Sequence, residues 1–475
     1  MNIAQWLFAH SLEITGYLLA ILLIPRILLE RRHPGATIAW VLAIGLVPFL
    51  GVPLYFLIGG RRIKKVSRKK DWSIPREKAN LTTPALGRLP VNSRKIAYLM
   101  MQAGIFPPSE DNSINIIDDG IKAYTTLFNM LEGAEKSIEI ATFILGPDEV
   151  GKALIRLLAK KASDGLEVRL LLDGLGSMRT SGHFVDPLRN AGGQIGIFLP
   201  IIPVRRSWSA NLRNHRKLTV VDGYKAFIGG MNIAREYMGP KPYKNRWKDV
   251  SMLITGTGTG YIRSIFWQDW KFSTNESIEP GTICQVPSYF QPDGSIIQVV
   301  GDGPDVPERP LYSGVLAALS RARESIWVVT PYFVPDDALS ESLALAARMG
   351  SDVRLIMPEK SNHPLVDLAG RSYLDNLMHA GVRFYCYQPG MLHAKLITVD
   401  RKLAVVGSAN MDIRSFQLNF EIASFLYDSK SVEKVNGVIQ SIIKKSREVT
   451  MREITEKSKF RTFSEDICRV FSPLF

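Results

Sequence analysis

The sequence predicts an α/β protein in which two related repeats form a pseudo-twofold unit, preceded by a two-helix transmembrane hairpin. Three observations predict this architecture. Apolar, strand-like runs alternate with helical patterns through residues 111–475, which is typical of βαβ units in a largely parallel sheet. The same order of elements occurs twice in that part of the chain. The first sixty residues are strongly apolar and long enough for two membrane spans.

The N-terminal segment contains two apolar runs. Residues 35–60 carry no formal charge, and we expect Pro48 and Pro53 to kink this span. Residues 1–25 form a weaker first span. A cleaved signal peptide is the alternative interpretation. It is disfavoured because no basic region precedes the apolar run, no small-residue cleavage site follows, and the second span comes at once.

Basic residues predict the orientation of this hairpin. The link between the two spans holds three arginines, whereas seven basic residues and no acid follow the second span within residues 61–70. The flank that is richer in lysine and arginine tends to stay in the cytoplasm, so we expect the rest of the chain there. The same run is suited to contact anionic lipid headgroups.

Composition limits the classes of function. The chain has 475 residues and a formal net charge of +14, which favours an anionic partner: nucleic acid, an acidic membrane surface or a phosphorylated substrate. Its three cysteines, Cys284, Cys386 and Cys468, are far apart. They exclude a disulfide framework and a cysteine-based zinc site.

We expect four segments along the chain: the hairpin at 1–60, a basic juxtamembrane linker at 61–110 with one short helix near 93–103, a first repeat at 111–275 and a second at 276–475. The matching elements of the two repeats are helices 120–132, 148–163, 311–323 and 337–348, and strands 137–145, 167–173, 325–333 and 353–357.

Each repeat contains the same constellation of polar residues. His, Lys, Asp and Asn recur at offsets of 0, 2, 7 and 17 residues. Two such sets at identical spacing are not a chance event, given average residue usage. The residues are His215, Lys217, Asp222 and Asn232 in the first repeat, and His393, Lys395, Asp400 and Asn410 in the second.

Strand geometry divides these residues into two groups. The apolar, β-branched residues that follow each lysine predict a strand, on which residues two apart share a face. Each histidine therefore points to the same side as its lysine. Asp222 and Asp400 lie at an odd offset, on the other face or in the turn, and Asp222-Gly223 is typical of a hairpin turn. We expect a structural role for these aspartates, although they complete the motif.

Two histidines and two lysines make a complete site for phosphodiester transfer without metal. One neutral imidazole attacks phosphorus and forms a phospho-histidine intermediate. The other imidazole, protonated, gives its proton to the leaving alcohol. The lysines stabilise the negative charge on the phosphoryl oxygens. No cluster of acids, histidines or cysteines at metal-ligand spacing accompanies the motifs, so we expect no metal and no cofactor.

The paired motifs resemble those of the phospholipase D superfamily, and the flanking segments resemble the membrane-anchored bacterial cardiolipin synthases within it. The resemblance covers nearly the whole chain. The first repeat departs from it in the run Ala141–Asp148, which lacks the tyrosine expected there. The segments that carry the resemblance are Arg32–Ala36, Arg213–Lys217, Thr330–Asp336, Asn410–Ser415, Leu418–Glu421 and Val470–Leu474.

The resemblance implies an acid downstream of each motif that orients the histidine. Glu421 follows His393 by 28 residues and is the expected partner of His393. In the first repeat Asp249 is the expected counterpart for His215, and a carboxylate on the imidazole N–H would fix its tautomer. Basic residues near the motifs are candidates for phosphate binding or, equally, parts of a solvated basic loop. They are Arg205, Arg206, Arg213 and Arg414.

The resemblance implies a multi-pass enzyme of the bacterial inner membrane that acts on phosphatidylglycerol, with anionic membrane lipids as partners. It would transfer a phosphatidyl group between two phosphatidylglycerol molecules, giving cardiolipin and glycerol. A phospholipase D that uses water, or a transferase with another alcohol, is the alternative. A nuclease would also use the positive charge, but the hairpin and the lack of an aromatic-basic channel pattern argue against a nucleic-acid partner. The sequence leaves the oligomeric state open.

The two histidines are predicted to play different parts. The more basic surroundings of His215 lower its pKa and favour the neutral nucleophile, whereas Glu421 as a partner would favour protonated His393 as the acid. The superfamily resemblance points the same way.

Overall fold

A computed structural model describes residues 11–29, 34–55, 83–200, 212–276, 294–306 and 308–471. The described residues form two compact units. The first contains residues 11–55 and the second contains the rest. The predicted basic run at 61–70, together with Arg205 and Arg206, lies outside the described residues.

The helices, numbered in chain order, are α1 (Ser11–Leu29), α2 (Pro34–Leu46), α3 (Pro48–Leu54), α4 (Pro84–Arg88), α5 (Val91–Gln102), α6 (Gly120–Glu132), α7 (Glu149–Ser163), α8 (Asp186–Asn190), α9 (Thr257–Thr274), α10 (Pro310–Leu319), α11 (Asp337–Arg348), α12 (Pro364–Arg371), α13 (Leu374–His379), α14 (Ile413–Gln417), α15 (Ser429–Ile443), α16 (Met451–Thr455) and α17 (Lys459–Phe471).

The strands are β1 (Ser109–Ile117), β2 (Ser137–Thr142), β3 (Glu167–Asp173), β4 (Gln194–Phe198), β5 (Arg213–Asn214), β6 (Leu218–Val221), β7 (Lys225–Gly229), β8 (Ser251–Thr255), β9 (Ser295–Asp302), β10 (Ser325–Val329), β11 (Phe333–Val334), β12 (Asp352–Pro358), β13 (Arg383–Tyr387), β14 (Leu396–Val399), β15 (Leu403–Gly407), β16 (Met411–Asp412), β17 (Asn419–Leu426) and β18 (Ser446–Glu448).

In the first unit, helix α1 and the pair α2 and α3 share a small apolar core that includes Ile27, Ile44 and Tyr55. Proline 48 stands at the first position of α3, so the predicted second span is two helices separated at Val47 rather than one kinked helix. None of the helices within the described ranges is long and apolar enough to cross a membrane.

In the second unit the two repeats share one sheet. Each contributes seven strands in the same order: β1-β8-β7-β6-β2-β3-β4 in the first and β9-β17-β15-β14-β10-β12-β13 in the second. Antiparallel pairing of β1 with β9 joins the two halves into a continuous sheet. The α/β class with two related repeats is therefore confirmed.

The sheet is mixed, and the expectation of a largely parallel sheet is wrong for its centre. Along this strand order, the parallel pairs among the described residues are those within β2-β3-β4 and β10-β12-β13. The motif strand β6 is antiparallel to both of its neighbours, β2 and β7. The short turn at Asp222-Gly223 explains the pairing with β7, because a turn of this length joins only antiparallel strands.

The predicted juxtamembrane linker is folded from residue 84 onward. Helix α5 presents buried Ile96 and Met100 to a core that also contains Val315 and Leu319 of helix α10. This apolar helix face therefore belongs to the core of the second repeat. The core of the first repeat lies between its half of the sheet and helices α6 and α7.

Candidate active site

The two motifs lie at the same place in each repeat, immediately before a buried strand. Strands β6 and β14 are buried at every position, because each lies inside the sheet between two neighbours. His215 and Lys217 belong to the short extended segment that precedes β6, and His393 and Lys395 to the one that precedes β14. The strand prediction was therefore correct for the residues after each lysine and wrong for the histidines themselves.

Each of these segments docks on the opposite repeat. Strand β5 pairs in parallel with the start of β17, and the amide of His215 donates to the carbonyl of Phe420 over 2.9 Å. In the same way, Leu392 forms a bridge with Lys248, whose carbonyl accepts the amide of His393 over 2.7 Å. The backbone therefore places His215 beside residue 421, which follows Phe420, and His393 beside residue 249, which follows Lys248.

Those following residues are the two predicted acids, with their partners exchanged. Nδ1 of His215 lies 3.0 Å and 3.1 Å from the two carboxylate oxygens of Glu421. Nδ1 of His393 lies 2.6 Å from Oδ2 of Asp249. The expectation that Asp249 orients His215 and Glu421 orients His393 is wrong. It paired each acid with the histidine before it in the chain, whereas the docking of each motif crosses from one repeat to the other.

The exchange produces one electrostatic unit rather than two separate sites. The charge of Lys395 in the second repeat lowers the pKa of His215 in the first, and Lys217 of the first repeat lowers the pKa of His393 in the second. Such an influence weakens with distance and is greatest in a low-dielectric interior. The charge of each motif therefore acts on the histidine of the other.

Burial favours neutral imidazoles. It lowers the pKa of His215 to about 4, against the opposing charge of Glu421 and with a further lowering by Lys217. Burial, together with the charge of Lys395, lowers the pKa of His393 well below its ordinary value. The predicted direction is confirmed for His215, although desolvation rather than neighbouring cations is the main cause. The expected shift of His393 toward the protonated form is wrong.

Glu421 and Asp249 differ in how far neighbouring donors and charges offset the effect of burial on their pKa. Burial alone would raise the pKa of Glu421, but His215, Lys217 and the hydroxyl of Ser408 together lower it. Asn419 also donates to Glu421. Burial raises the pKa of Asp249 to about 7, because fewer donors offset the loss of water. Glu421 is therefore the more firmly ionised partner.

Each lysine contacts the histidine of its own motif. Nζ of Lys217 donates to the carbonyl oxygen of His215 over 2.7 Å and lies 5.3 Å from the ring centre of Phe143. Nζ of Lys395 lies 2.7 Å from Nδ1 and 3.2 Å from Nε2 of His393. Burial lowers the pKa of Lys217 well below its ordinary value and that of Lys395 to about 8. An anionic ligand would satisfy the two buried ammonium groups.

Aromatic rings line the site unequally. The ring of Phe143, in the run that lacks the expected tyrosine, packs edge-on against His215 at 5.0 Å between ring centres. His393 is surrounded by Tyr237 at 5.1 Å, Trp247 at 5.4 Å and Tyr332 at 6.4 Å. These rings exclude water and position the imidazoles.

The aspartates of the motifs do not face the histidines. Asp222 and Asp400 each adopt a φ of +52° in the turn after the motif strand. The carboxylate of Asp222 accepts the backbone amides of residues 135–137, and that of Asp400 accepts those of residues 323–325. Each aspartate thereby ties its turn to the start of the neighbouring strand.

The asparagines at offset 17 hold loops at the site. Oδ1 of Asn232 accepts the amide of Ile144 over 3.0 Å and so fixes the loop that carries Phe143. The backbone amide of Asn410 donates to Ser415 Oγ over 3.2 Å, in the segment that leads into α14. Both side chains are buried.

The two candidate phosphate-binding arginines lie near one another. The buried guanidinium of Arg213 donates to the carbonyl of Leu199 over 3.1 Å. Its pKa is lowered by burial and by the charge of Arg414, while Asp173 raises it. Burial also lowers the pKa of Arg414, whereas the charges of Asp412 and Asp173 raise it. The structure thus brings Arg213 and Arg414 into one charged group with Asp173.

Sequence reasoning missed Arg216, the residue between the first histidine and lysine. Its side chain is fully buried and its guanidinium contacts both oxygens of Asp269 at 2.6 Å. It also donates to the carbonyls of Glu421 and Asp302, so that it links the first motif to the second repeat. The signal was available: an arginine beside a buried strand, where the second repeat has Ala394.

Among the residues that the structure describes, no three His, Cys, Asp or Glu side chains are grouped so as to hold a metal ion.

Comparisons with known proteins agree with this geometry. Residues 127–270 and 315–443 match the family described as "Cardiolipin synthase, PLD-like domain", and residues 18–60 match "Phospholipase_D-nuclease N-terminal". The chain is 35% identical to a cardiolipin synthase of Geobacillus thermodenitrificans, over 94% of this chain and 90% of that protein. It is 33% identical to the major cardiolipin synthase of Bacillus subtilis, over 97% of both chains. In fold it resembles a phosphatidylserine synthase of Haemophilus influenzae, with a TM-score of 0.59, 14% identity, and coverage of 76% of this chain and 93% of that one.

Proposed function

The chain belongs to the cardiolipin synthase family with phospholipase D-like domains, and from this premise we propose that it transfers a phosphatidyl group from one phosphatidylglycerol to the terminal hydroxyl of another. The products are cardiolipin and glycerol. One observation carries the proposal: two buried histidines are each held by an acid of the opposite repeat, and each has a buried lysine two residues away. That set contains a nucleophile, an acid and the positive charge that phosphodiester transfer requires.

The first half-reaction uses His215 as the nucleophile. Glu421 accepts a hydrogen bond from the Nδ1–H of His215, which leaves the lone pair of Nε2 to attack phosphorus. A bond forms between Nε2 and phosphorus as the bond from phosphorus to the glycerol oxygen breaks. His393 gives a proton to that oxygen, and glycerol leaves. The negative charge of a bound phosphodiester raises the pKa of an adjacent imidazole and so opposes the lowering that burial causes at His393.

The second half-reaction reverses the roles. His393, now neutral, takes the proton of a terminal hydroxyl on a second phosphatidylglycerol. That oxygen attacks phosphorus and displaces Nε2 of His215, which returns the enzyme to its starting state. Lys217 and Lys395 stabilise the phosphoryl oxygens in both steps. Asp249, with a pKa of about 7, holds the imidazole of His393 through the exchange of its proton.

Incubation of the purified chain with labelled phosphatidylglycerol as the sole lipid tests the function. Cardiolipin and free glycerol in equal amounts are the expected products. Phosphatidic acid alone would instead identify a hydrolase, and a product formed only after another alcohol is added would identify a different transferase. His215→Ala is the control, because it removes the nucleophile and leaves the second repeat unchanged.

A substrate with a good leaving group separates the roles of the two histidines. His393→Ala lacks the acid and is expected still to form some phosphatidyl-enzyme, whereas His215→Ala forms none. Mapping of the phosphorylated peptide checks the assignment. Label on His393 would reverse it, and label on neither histidine would exclude a covalent intermediate.

We also propose that residues 1–60 are a membrane hairpin of a multi-pass protein of the bacterial inner membrane, followed by catalytic repeats at 111–275 and 276–475 in the cytoplasm. The uncharged run at 35–60, the basic run after it and the family match at 18–60 support this topology. Added protease should digest the C-terminal part in inside-out vesicles. Protection in those vesicles would overturn the orientation.

A further inference from the structure

The last helix of the described chain, α17, has its apolar face turned outward. Its large apolar residues recur at intervals of three and four residues, which puts them on one side of the helix. The four whose side chains the structure describes are between 41% and 80% exposed. They are Phe460, Phe463, Ile467 and Val470, and we call them the α17 stripe.

The inward face of α17 is small and polar. Cys468 packs with Val334 and Ala369, the latter on helix α12. Glu465 is 2% exposed and accepts from Lys457 over 2.7 Å and from Arg461 over 3.2 Å. An amphipathic helix on a globular protein normally buries its apolar face, so this reversal points to an apolar environment outside the protein.

The positive charge of α17 favours a lipid surface, rather than another protein, as the apolar environment of the α17 stripe. Lys459, Arg461 and Arg469 are exposed on α17, against one exposed acid, Asp466. The whole chain carries a formal charge of +14. An amphipathic helix with aromatic residues on one side and basic residues beside them is suited to lie in the interface of a bilayer that contains anionic lipids.

The position of α17 connects this surface to the catalytic histidine. Helix α17 packs on α12, which begins directly after His363 and exposes Leu365. Beneath them is a cavity of about 410 Å³, lined by residues that include Arg371, Arg461 and Tyr332. The ring of Tyr332 lies 6.4 Å from that of His393, so it separates the cavity from the site.

We propose that α17 inserts the α17 stripe into the headgroup region of an anionic bilayer and so presents the cavity beneath it to lipid at the membrane surface. The proposal rests on the proposed function in so far as the lipid that uses the cavity is the substrate. It gives the C-terminal helix a membrane contact in addition to that of the N-terminal segment.

Lipid-borne quenching tests the contact directly. The full chain, with Cys284→Ser to limit background labelling, carries an environment-sensitive dye at Phe463→Cys and is reconstituted into vesicles of phosphatidylglycerol and phosphatidylcholine. Brominated lipids are expected to quench about half or more of the dye fluorescence, since an interfacial helix buries its apolar face by about 5–10 Å. The matched control is Met349→Cys, an exposed apolar position on another helix end, where we expect little quenching.

Activity on two forms of lipid provides the second readout. Phe463→Asp should lower turnover of phosphatidylglycerol in vesicles by about tenfold, because a charged side chain is excluded from the apolar interface. Turnover of a short-chain, monomeric phosphatidylglycerol should stay within about twofold, which also shows that the variant is folded, since an exposed side chain contributes little to stability. Met349→Asp should change neither rate.

The outcomes separate this inference from the proposed function. Quenching at position 463 without any cardiolipin formation would sustain the membrane contact and overturn the function. Cardiolipin formation with a dye at 463 that only a water-soluble quencher reaches would overturn the contact alone. Cross-linking between positions 463 of two copies would identify a second copy as the occupant and would also overturn it.

Discussion

Glu421 of the second repeat holds His215 of the first, with its Oε1 3.0 Å from Nδ1 of the imidazole. The reciprocal pair, Asp249 of the first repeat and His393 of the second, is closer, at 2.6 Å. The assignment of acids to histidines is therefore crossed, and each acid can be tested through the histidine that it contacts.

Removal of the charge at position 421 should impair the nucleophile. Glu421→Gln is expected to slow formation of the phosphatidyl-enzyme by about 100-fold, because it weakens the hydrogen bond that fixes the tautomer of His215. Single-turnover trapping with an activated substrate measures this step. Asp249→Asn should affect it much less, and Glu341→Gln, an exposed acid on α11, should not affect it. Loss of trapping in Asp249→Asn with normal trapping in Glu421→Gln would contradict the crossed arrangement.

The rate should fall in alkaline solution. Lys395 has a pKa of about 8, so its positive charge is present below that pH and lost above it. His215, with a pKa of about 4, is already neutral throughout the neutral range and adds no change there. We expect kcat/KM, which reports the groups of the free enzyme, to decline above pH about 8. In Lys395→Arg the part of the decline that centres on pH about 8 should disappear, since guanidinium keeps its proton. Loss of the proton from His393, the acid of the first step, still lowers the rate as pH rises. A profile that is the same in Lys395→Arg as in the unaltered chain would assign the whole decline to another group.

The motif aspartates should matter for stability rather than for chemistry. Asp222→Ala leaves three backbone amides of residues 135–137 without their acceptor and is expected to lower the free energy of unfolding by about 1–3 kcal/mol. Asp400→Ala should do the same at residues 323–325. Thermal unfolding and the activity per folded molecule measure the two effects separately. Asp375→Ala, at an exposed position, is the control. A large loss of kcat with unchanged stability would give these aspartates a role in the reaction.

The buried pair of Arg216 and Asp269 should be strongly coupled. Arg216→Met removes the guanidinium from a carboxylate that stays buried, at an expected cost of about 3–5 kcal/mol. The double variant Arg216→Met, Asp269→Leu should recover much of that loss. Urea unfolding of both variants measures the coupling. The exposed pair of Arg348 and Glu341 should show a coupling below about 1 kcal/mol. An additive double variant at 216 and 269 would refute this coupling.

Chelation should not affect the reaction. The buried lysines of both motifs supply positive charge where phosphate would lie, so we expect turnover in excess EDTA to remain within about twofold of the untreated rate. The matched measurement adds Mg²⁺, Mn²⁺ or Zn²⁺ back to the treated enzyme. Complete loss with EDTA and recovery with one of these ions would contradict the prediction.

The sequence alone predicted the features that depend on local pattern. Helix 120–132 and helix 337–348 have the predicted bounds, because their apolar residues repeat with the period of a helix and an aspartate caps each start. The duplicated motif was found from spacing, and its strands from β-branched runs. The spacing within each motif and the β-branched run after each lysine are both local patterns that a short stretch of sequence contains.

Long-range relationships were not predictable in this way. Nothing in the spacing of Asp249 or Glu421 indicates that each contacts the histidine of the other repeat, since that follows from the docking of β5 on β17 and of Leu392 on Lys248. The folding of helix α5 into the core of the second repeat is a similar case. The break at Val47 has a local cause, Pro48. The sequence predicted only a kink at this proline, whereas the helix ends before it and a new helix begins at Pro48.

The reciprocal docking of the repeats has a consequence for how such a protein can change over generations. Neither repeat contains a complete pair of histidine and acid, because the carboxylate that contacts each histidine is encoded in the other repeat. The duplicated halves are thus free to diverge in their outer helices and loops, but not to separate. A gene that lost either half would encode a remnant whose histidine has no acid partner, and a change in one docking strand has to be matched in the other.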